Sequence, residues 1–294
     1  MRASSMCISC IISRQEKMIR KYTDEKKKSD YMHRVLEILY SYGEEEPAPF
    51  MVEKINRLYE SFWGLGEDFS QVKKQYNRLL SDKEIELWKK IQGAKEPLKE
   101  SIKYACAANY IDFSAVENVN EQTLEKLIAA AEKEELSDEE YAFFQSDLAR
   151  AARLVYLTDN CGEIVLDKLL IQCIKQYYPK LQITVILRGE NVINDATMED
   201  AREVGLTEVA ECMGNGNGAP STVLKRLDAK SKEALESADV VISKGQGNFE
   251  GLCGEGINPY YLFLCKCELF VSRFGLKKYQ SVFMKEDRMK ISLN

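Results

Sequence analysis

The chain has 294 residues, 45% of them apolar, enough for a sizeable core in one large domain or two modest ones. Its net charge of -6 comes without a dense Lys/Arg stripe, which argues against nucleic acid as a partner. No apolar run approaches the roughly 18 to 20 residues of a membrane span, so the expected partner is a small molecule and not a membrane.

The N-terminal "MCISCII" is short and soon followed by "RQEKMIRK", so no signal peptide is expected. Nine scattered cysteines read as reduced thiols of a cytoplasmic protein and not as a disulfide framework. Cys7 and Cys10 form one C-x-x-C, half of a zinc site without a second close pair. Their spacing also suits one helix face, and core packing is the expectation. The single histidine, His33, lies in the helix-like "SDYMHRVLEILYSY", which argues against an H-E-x-x-H zinc site and a Ser-His-Asp triad.

From Cys7 to about residue 150 apolar residues recur three and four apart, as in "MVEKINRLYESFWGL", "FSQVKKQYNRLL", "DKEIELWKKI", "NEQTLEKLIAAAEKEE" and "SDEEYAFFQSDLARAA". Residues 1–150 are therefore expected to form a helical subdomain. Charge runs such as "DEKKKSD" read as solvated helix faces and caps. After residue 150 short apolar runs, "RLVYLT", "LQITVILR", "TEVAEC", "DVVISK" and "CELFVSRFG", alternate with the helical "EIVLDKLLIQCIKQYY", "ATMEDAREVG" and "STVLKRLDAKSKEALES". That alternation predicts an α/β fold over residues 151–294, a three-layer, doubly wound, mostly parallel sheet packed with the helical part as one unit.

In such sheets ligands bind beyond the carboxyl ends of the strands. Asp159 and Asn160 follow "RLVYLT", Asp195 follows "LQITVILR", and Lys244 with "GQGNFEG" follows "DVVIS", so three loops deliver polar groups to one rim. Asp159, Asn160 and Asp195 offer only oxygen ligands, the set a hard divalent cation such as Mg²⁺ or Mn²⁺ takes. Lys244 and the turn of Gly245, Gly247 and Asn248 would add an ammonium and backbone N–H donors for a phosphate. Each residue taken singly has a plainer reading: Asp159, Asn160 and Asp195 are also common helix caps. "GNGNGAP" reads as a flexible turn.

Together "LTDNCGEIVLD", "RGENVINDATMEDA" and "DVVISKGQGNFEGL" resemble the damage-control phosphatase family, also catalogued as domain-of-unknown-function family 89. "CISC", "KEPLKESIKYACAANYIDF" and "YLFLCKCELFVSRFG" are similar to its stand-alone, mostly prokaryotic branch. The resemblance implies a divalent metal (Mg²⁺, Mn²⁺, or another first-row ion such as Co²⁺ or Ni²⁺) held by Asp159, Asn160 and Asp195. It also implies hydrolysis of small phosphorylated metabolites, sugar phosphates among them. It places a substrate-contacting lysine at Lys266, in "FLCK" where another branch carries an Arg-Thr-x-Lys run. Asn109 and Asp112 in "AANYIDF" match a motif that would line the crevice or cap the turn after "SIKYACA".

If "CELFVSRFG" is an antiparallel strand, Lys266 at its start lies on the same rim; were it parallel, Lys244 would act alone. The nucleophile is a metal-bound water assisted by Glu163 or Glu250, or Asp159 itself through an aspartyl-phosphate. Cys161 two residues after Asp159 departs from the Asp-x-Asp of haloacid-dehalogenase phosphatases, which weakens the covalent route. Two alternatives come from other classes. "SKGQGNFEG" is close to a G-x-G-x-x-G and allows a dinucleotide-binding oxidoreductase, and the same loops could serve a nonenzymatic metabolite- or metal-binding protein. No feature of the sequence sets an oligomeric state.

Overall fold

The computed structural model describes residues 3–41, 47–64, 69–110 and 121–289. Helices α1 (Ser5–Ile19), α2 (Glu25–Tyr40) and α3 (Ala48–Trp63) come first, then α4 (Ser70–Ser81), α5 (Glu84–Gly93), α6 (Pro97–Ala107), α7 (Glu121–Lys133) and α8 (Asp138–Arg150). Side-chain caps start several of them: Ser4 accepts from the N–H of Cys7, Asp24 from Lys27, and Ser137 from Glu140. The first three helices share a small core around Tyr31, Val35, Met51 and Ile55. No helix among the described residues is long and apolar enough to cross a membrane.

The α/β part runs β1 (Arg153–Leu157), α9 (Glu163–Tyr177), β2 (Gln182–Leu187), α10 (Met198–Glu203), β3 (Glu211–Gly214), α11 (Ala229–Glu236), β4 (Val240–Lys244), α12 (Gly245–Leu252), β5 (Tyr260–Leu264), α13 (Glu268–Phe274) and β6 (Ser281–Lys285). The sheet order is β3-β2-β1-β4-β5-β6, parallel throughout except for β6, which pairs antiparallel with β5. It is an α/β fold of the doubly wound type, and the order reverses between β1 and β4, the place where such sheets open a crevice.

Successive β1 residues alternate between two cores. Leu154 and Tyr156 face α6 and α9, whereas Val155 and Leu157 face α11 and α12. The first of these cores also takes Tyr76 and Leu80 of α4, Leu87 of α5 and Phe144 of α8, so the later N-terminal helices are packed into the sheet's own interior.

Two predicted strands differ from the structure. "CELFVSRFG" is helix α13: Leu269 and Phe270 are buried, Phe274 joins the same apolar cluster one turn on, and Gly275 ends the helix at φ +63°. The strand is the preceding "YYLFL", buried at every position and parallel to β4. In "TEVAEC" the chain makes a 3-10 turn, Leu206–Glu208, that buries Leu206, and the strand begins only at Glu211.

Candidate active site

Asp159 leaves β1, Asp195 leaves β2, and the two meet because Asn160 and Asp195 form an isolated antiparallel bridge. Ala196 donates its N–H to the Asp159 carbonyl (2.8 Å), and Cys161 donates to that of Asn194 (2.8 Å). The turn into α9 requires Gly162, at φ +71°, whose N–H is received by Asn77 Oδ1 of α4 (2.7 Å). It sets Glu163 at the first position of α9, where the helix dipole favours a carboxylate.

Glu163 is completely buried, and both its oxygens are used. Oε1 accepts from Nδ2 of Asn109 and of Asn160 (2.7 Å each), and Oε2 accepts from Lys244 Nζ (3.3 Å). Lys244 is the last residue of β4 and has no exposed surface; its ammonium also donates to Asp167 Oδ1 (2.6 Å), which receives Tyr156 Oη as well (2.7 Å). Burial pulls this ammonium down, but Asp167 and Glu163 outweigh it and hold it above the usual lysine range. The expected phosphate ligand Lys244 therefore sits below the rim, sealed between two carboxylates. A fully buried, bonded ammonium cannot also meet a substrate without breaking these contacts.

Asp159 Oδ2 accepts from Asn160 Nδ2 (2.8 Å) and Asn109 Nδ2 (3.1 Å). Burial, then the charges of Glu163 and Asp195, push its carboxyl up to about 7, while Arg188 and Lys266 pull the other way. Asp195 is likewise pushed up by burial, against the guanidinium of Arg188, whose Nε donates to its Oδ2 (2.6 Å). Three carboxylates thus crowd one buried place. Arg188, 1% exposed, stands at their edge with Nη2 3.9 Å from Asp159 Oδ1 and without a hydrogen-bond partner.

The α12 N-terminus closes over the same carboxylate. At Gly245, φ +78°, any Cβ would overlap the Asp159 carboxyl group, so only glycine allows this approach. No side chain caps the helix. Gly247 packs against the Pro220 carbonyl, where a Cβ would lie 2.6 Å from the oxygen. Asn248 is a tie and not a rim group: it is buried, donates to the carbonyls of Thr158 (2.9 Å) and Lys244 (2.7 Å), and accepts from Thr222 N–H (2.7 Å). Glu250 lies a turn and a half along α12, its charge felt at Cys267, with burial pushing it up to about 7. Lys266 follows β5, half-buried, so it reaches the rim because β5 is parallel, a different route from the expected antiparallel strand. Asp112 lies outside the described residues.

The metal reading can be tested on the donor set. Among the described residues no group of three His, Cys, Asp or Glu side chains is arranged to hold an ion. The Asp159 and Asp195 carboxylates fit a hard cation, which would offset both the burial and the neighbouring negative charge that drive Asp159 up. Asn160 turns Nδ2 toward the carboxylates, while its Oδ1 accepts from Asn194 Nδ2 (2.8 Å). Its amide must rotate to serve as an oxygen ligand.

Arg188 was missed by sequence reasoning, although an arginine ending the apolar strand "ITVIL" was a visible signal. Asp167, one turn after Glu163 in an otherwise apolar helix, was another. Asn77, more than eighty residues upstream in chain order, gave none.

The model of the "Damage-control phosphatase ARMT1-like domain" matches residues 3–282. A damage-control phosphatase of Archaeoglobus fulgidus is 29% identical over 282 residues, covering 94% of this chain and 96% of its own. One from Pyrococcus horikoshii is 30% identical over 188 residues, covering 63% and 64%. The crystal structure of a DUF89 family protein from Pyrococcus horikoshii superposes with a TM-score of 0.82 at 25% identity, covering 97% of this chain and 99% of that one. With a family model matched over nearly its full length, this chain belongs to the damage-control phosphatase ARMT1-like family.

Proposed function

We propose that the protein is a divalent-metal-dependent phosphatase of small phosphorylated metabolites, with Asp159 and Asp195 as metal ligands and Asn160 completing the set after its amide turns. The observation that carries this reading is the crowding of Asp159, Glu163 and Asp195 in one buried place, with Asp159 pushed up to about 7 by burial and by its neighbours' charge. A bound divalent ion would supply charge neutralisation at the phosphoryl oxygens and acidify a water.

This chain's own residues would do the rest. Arg188 Nη2, buried and unbonded, and the Lys266 ammonium, whose charge reaches Asp159, would face the phosphoryl oxygens. The uncapped N–H groups that open α12, at Gly245 and Gly247, would add donors on the same side. Glu163 is a positioning residue: with both oxygens bonded, it fixes the Asn109 and Asn160 amides against Asp159. Lys244 holds Glu163 in turn. Glu250, a turn and a half into α12, is left outside this assignment. Nine free thiols fit a reducing, cytoplasmic setting.

The dinucleotide alternative loses ground on electrostatics. The glycine-rich turn of that reading opens α12, and there the Asp159 carboxyl group lies against Gly245, a negative charge where a pyrophosphate would have to rest without a metal. The test is phosphate release from a panel of phosphometabolites crossed with divalent ions. Release that requires an ion supports the reading, and release undiminished in chelator-treated protein sinks it.

A further inference from the structure

Beyond the 190–193 loop lies a cavity of about 800 Å³, walled by α1, α3 and α4 on one side and by that loop and α10 on the other. Asp159, Asn160, Asp195 and Lys266 do not line it. We propose that this cavity is a second binding site, for a small hydroxylated anion of the sugar-phosphate class, whose occupancy is relayed to Asp195 and Glu163.

The charge arrangement selects the ligand. Arg14 and Lys17 stand three residues apart on α1, so they share one face, and that face is a wall of the cavity, with Lys21 just past the helix end. The side chains of Arg14 and Lys17 are exposed and make no hydrogen bond or ion pair among the described residues. Elsewhere in the lining Arg57 pairs with Glu53 and Glu190, Lys73 with Asp200 and Lys74 with Glu199, so Arg14 and Lys17 are the cations on these walls open to an anionic occupant. The other walls present the carboxylates of Glu60 and Glu203. Ionised carboxylates only accept, so whatever meets them must donate, as hydroxyl groups do. The volume falls in the ordinary range for small-molecule sites, about 300–1,000 Å³.

The relay follows from two bonds. At the floor, buried Lys73 pairs with Asp200 (2.7 Å), and Asn77 Nδ2 donates to both Asp200 (2.9 Å) and Glu203 (2.8 Å). The same Asn77 receives the Gly162 N–H that sets the start of α9, and with it Glu163. On the loop side, cavity-lining Val192 receives the N–H of Asp195 (2.9 Å). Between them Ile193 holds φ +44°, a strained value for a β-branched residue, so this loop is fixed by its surroundings. An occupant that shifts either wall moves Asp195 or the positioning carboxylate Glu163.

The probe is the phosphonate analogue of glucose 6-phosphate, in which a methylene replaces the ester oxygen and hydrolysis cannot occur. Its binding is measured by calorimetry, with Mn²⁺ present, on the parent, on the Arg14→Glu, Lys17→Glu double variant and on Asp195→Asn. The expected result is a binding component in the parent that weakens roughly tenfold or more in the double variant and persists in Asp195→Asn. Inhibition of phosphate release by the probe should be mixed in the parent and purely competitive in the double variant. Equal binding by parent and double variant overturns the site, and so does loss of the Arg14-dependent component in Asp195→Asn, which would make the cavity an extension of the catalytic centre. Purely competitive inhibition in the parent overturns the relay. Binding is read without turnover, so a failure of the phosphatase reading, seen as absent phosphate release from esters, remains distinguishable.

Discussion

Replacing Lys244 by methionine separates a buried structural cation from a substrate ligand. Methionine keeps the length and apolar body of the side chain and removes only the ammonium. Asp167 and Glu163, now 2.6 and 3.3 Å from that ammonium, would then be two buried carboxylates with no cation between them. Asp167 is already pushed up by burial, against the pull of Lys244, and its Oδ2 has no hydrogen-bond partner, so the site has no spare compensation. Removing one partner of a buried ion pair costs about 3–5 kcal/mol, largely because the survivor stays charged and desolvated. Urea denaturation of Lys244→Met should show a loss of that order, and adding Asp167→Asn should recover part of it by deleting one stranded charge. A loss under about 1 kcal/mol, the level of an exposed ion pair, combined with weaker phosphate binding, would refute the reasoning and return Lys244 to the substrate.

Gly245→Ala should abolish turnover and lower stability by about 1–3 kcal/mol in a thermal melt, because its Cβ would meet the Asp159 carboxyl group at a backbone angle that alanine adopts only with strain. Arg188→Lys keeps a charge near Asp195 but loses the unbonded Nη2, so kcat/KM for phosphate release should fall roughly tenfold or more; unchanged kinetics would remove Arg188 from phosphate binding. At Asp147 burial is outweighed by hydrogen bonds from Lys285, Tyr260 and Arg150, and the carboxyl is lowered to about 2. Its folded pKa is depressed, so its contribution, about 2 kcal/mol, is present above about pH 4 and lost as pH falls through about 2. Asp147→Asn should remove that part of the acid limb of a stability–pH curve.

The fold was legible where periodicity was strong. The long amphipathic helices and the buried strands "RLVYLT", "LQITVILR" and "DVVISK" lie where their patterns put them. "CELFVSRFG" misled because Leu269, Phe270 and Phe274 suit a short helix as well as a strand, and "YYLFL" beside it has no alternation to read. At the site, the loops that bring Asp159, Asn160 and Asp195 together could be inferred from strand ends. Depth could not: nothing local distinguishes a lysine at the mouth of a strand from one sealed beneath it, and Lys244 is buried only because Asp167 and Glu163 of α9 come to meet it. Arg188 and Asn77 act across the chain, through partners that are remote in sequence.

The central claim is that the carboxylates crowding Asp159 form a cation site, and calorimetric titration of Mn²⁺ into metal-stripped protein tests it most directly. The parent should bind one ion, and Asp195→Asn, which keeps the side chain's size but deletes one of the two proposed anionic ligands, should bind it roughly tenfold more weakly or worse while melting as a folded protein. Equal affinity in the two proteins would make Asp195 only the partner of Arg188 and contradict the account.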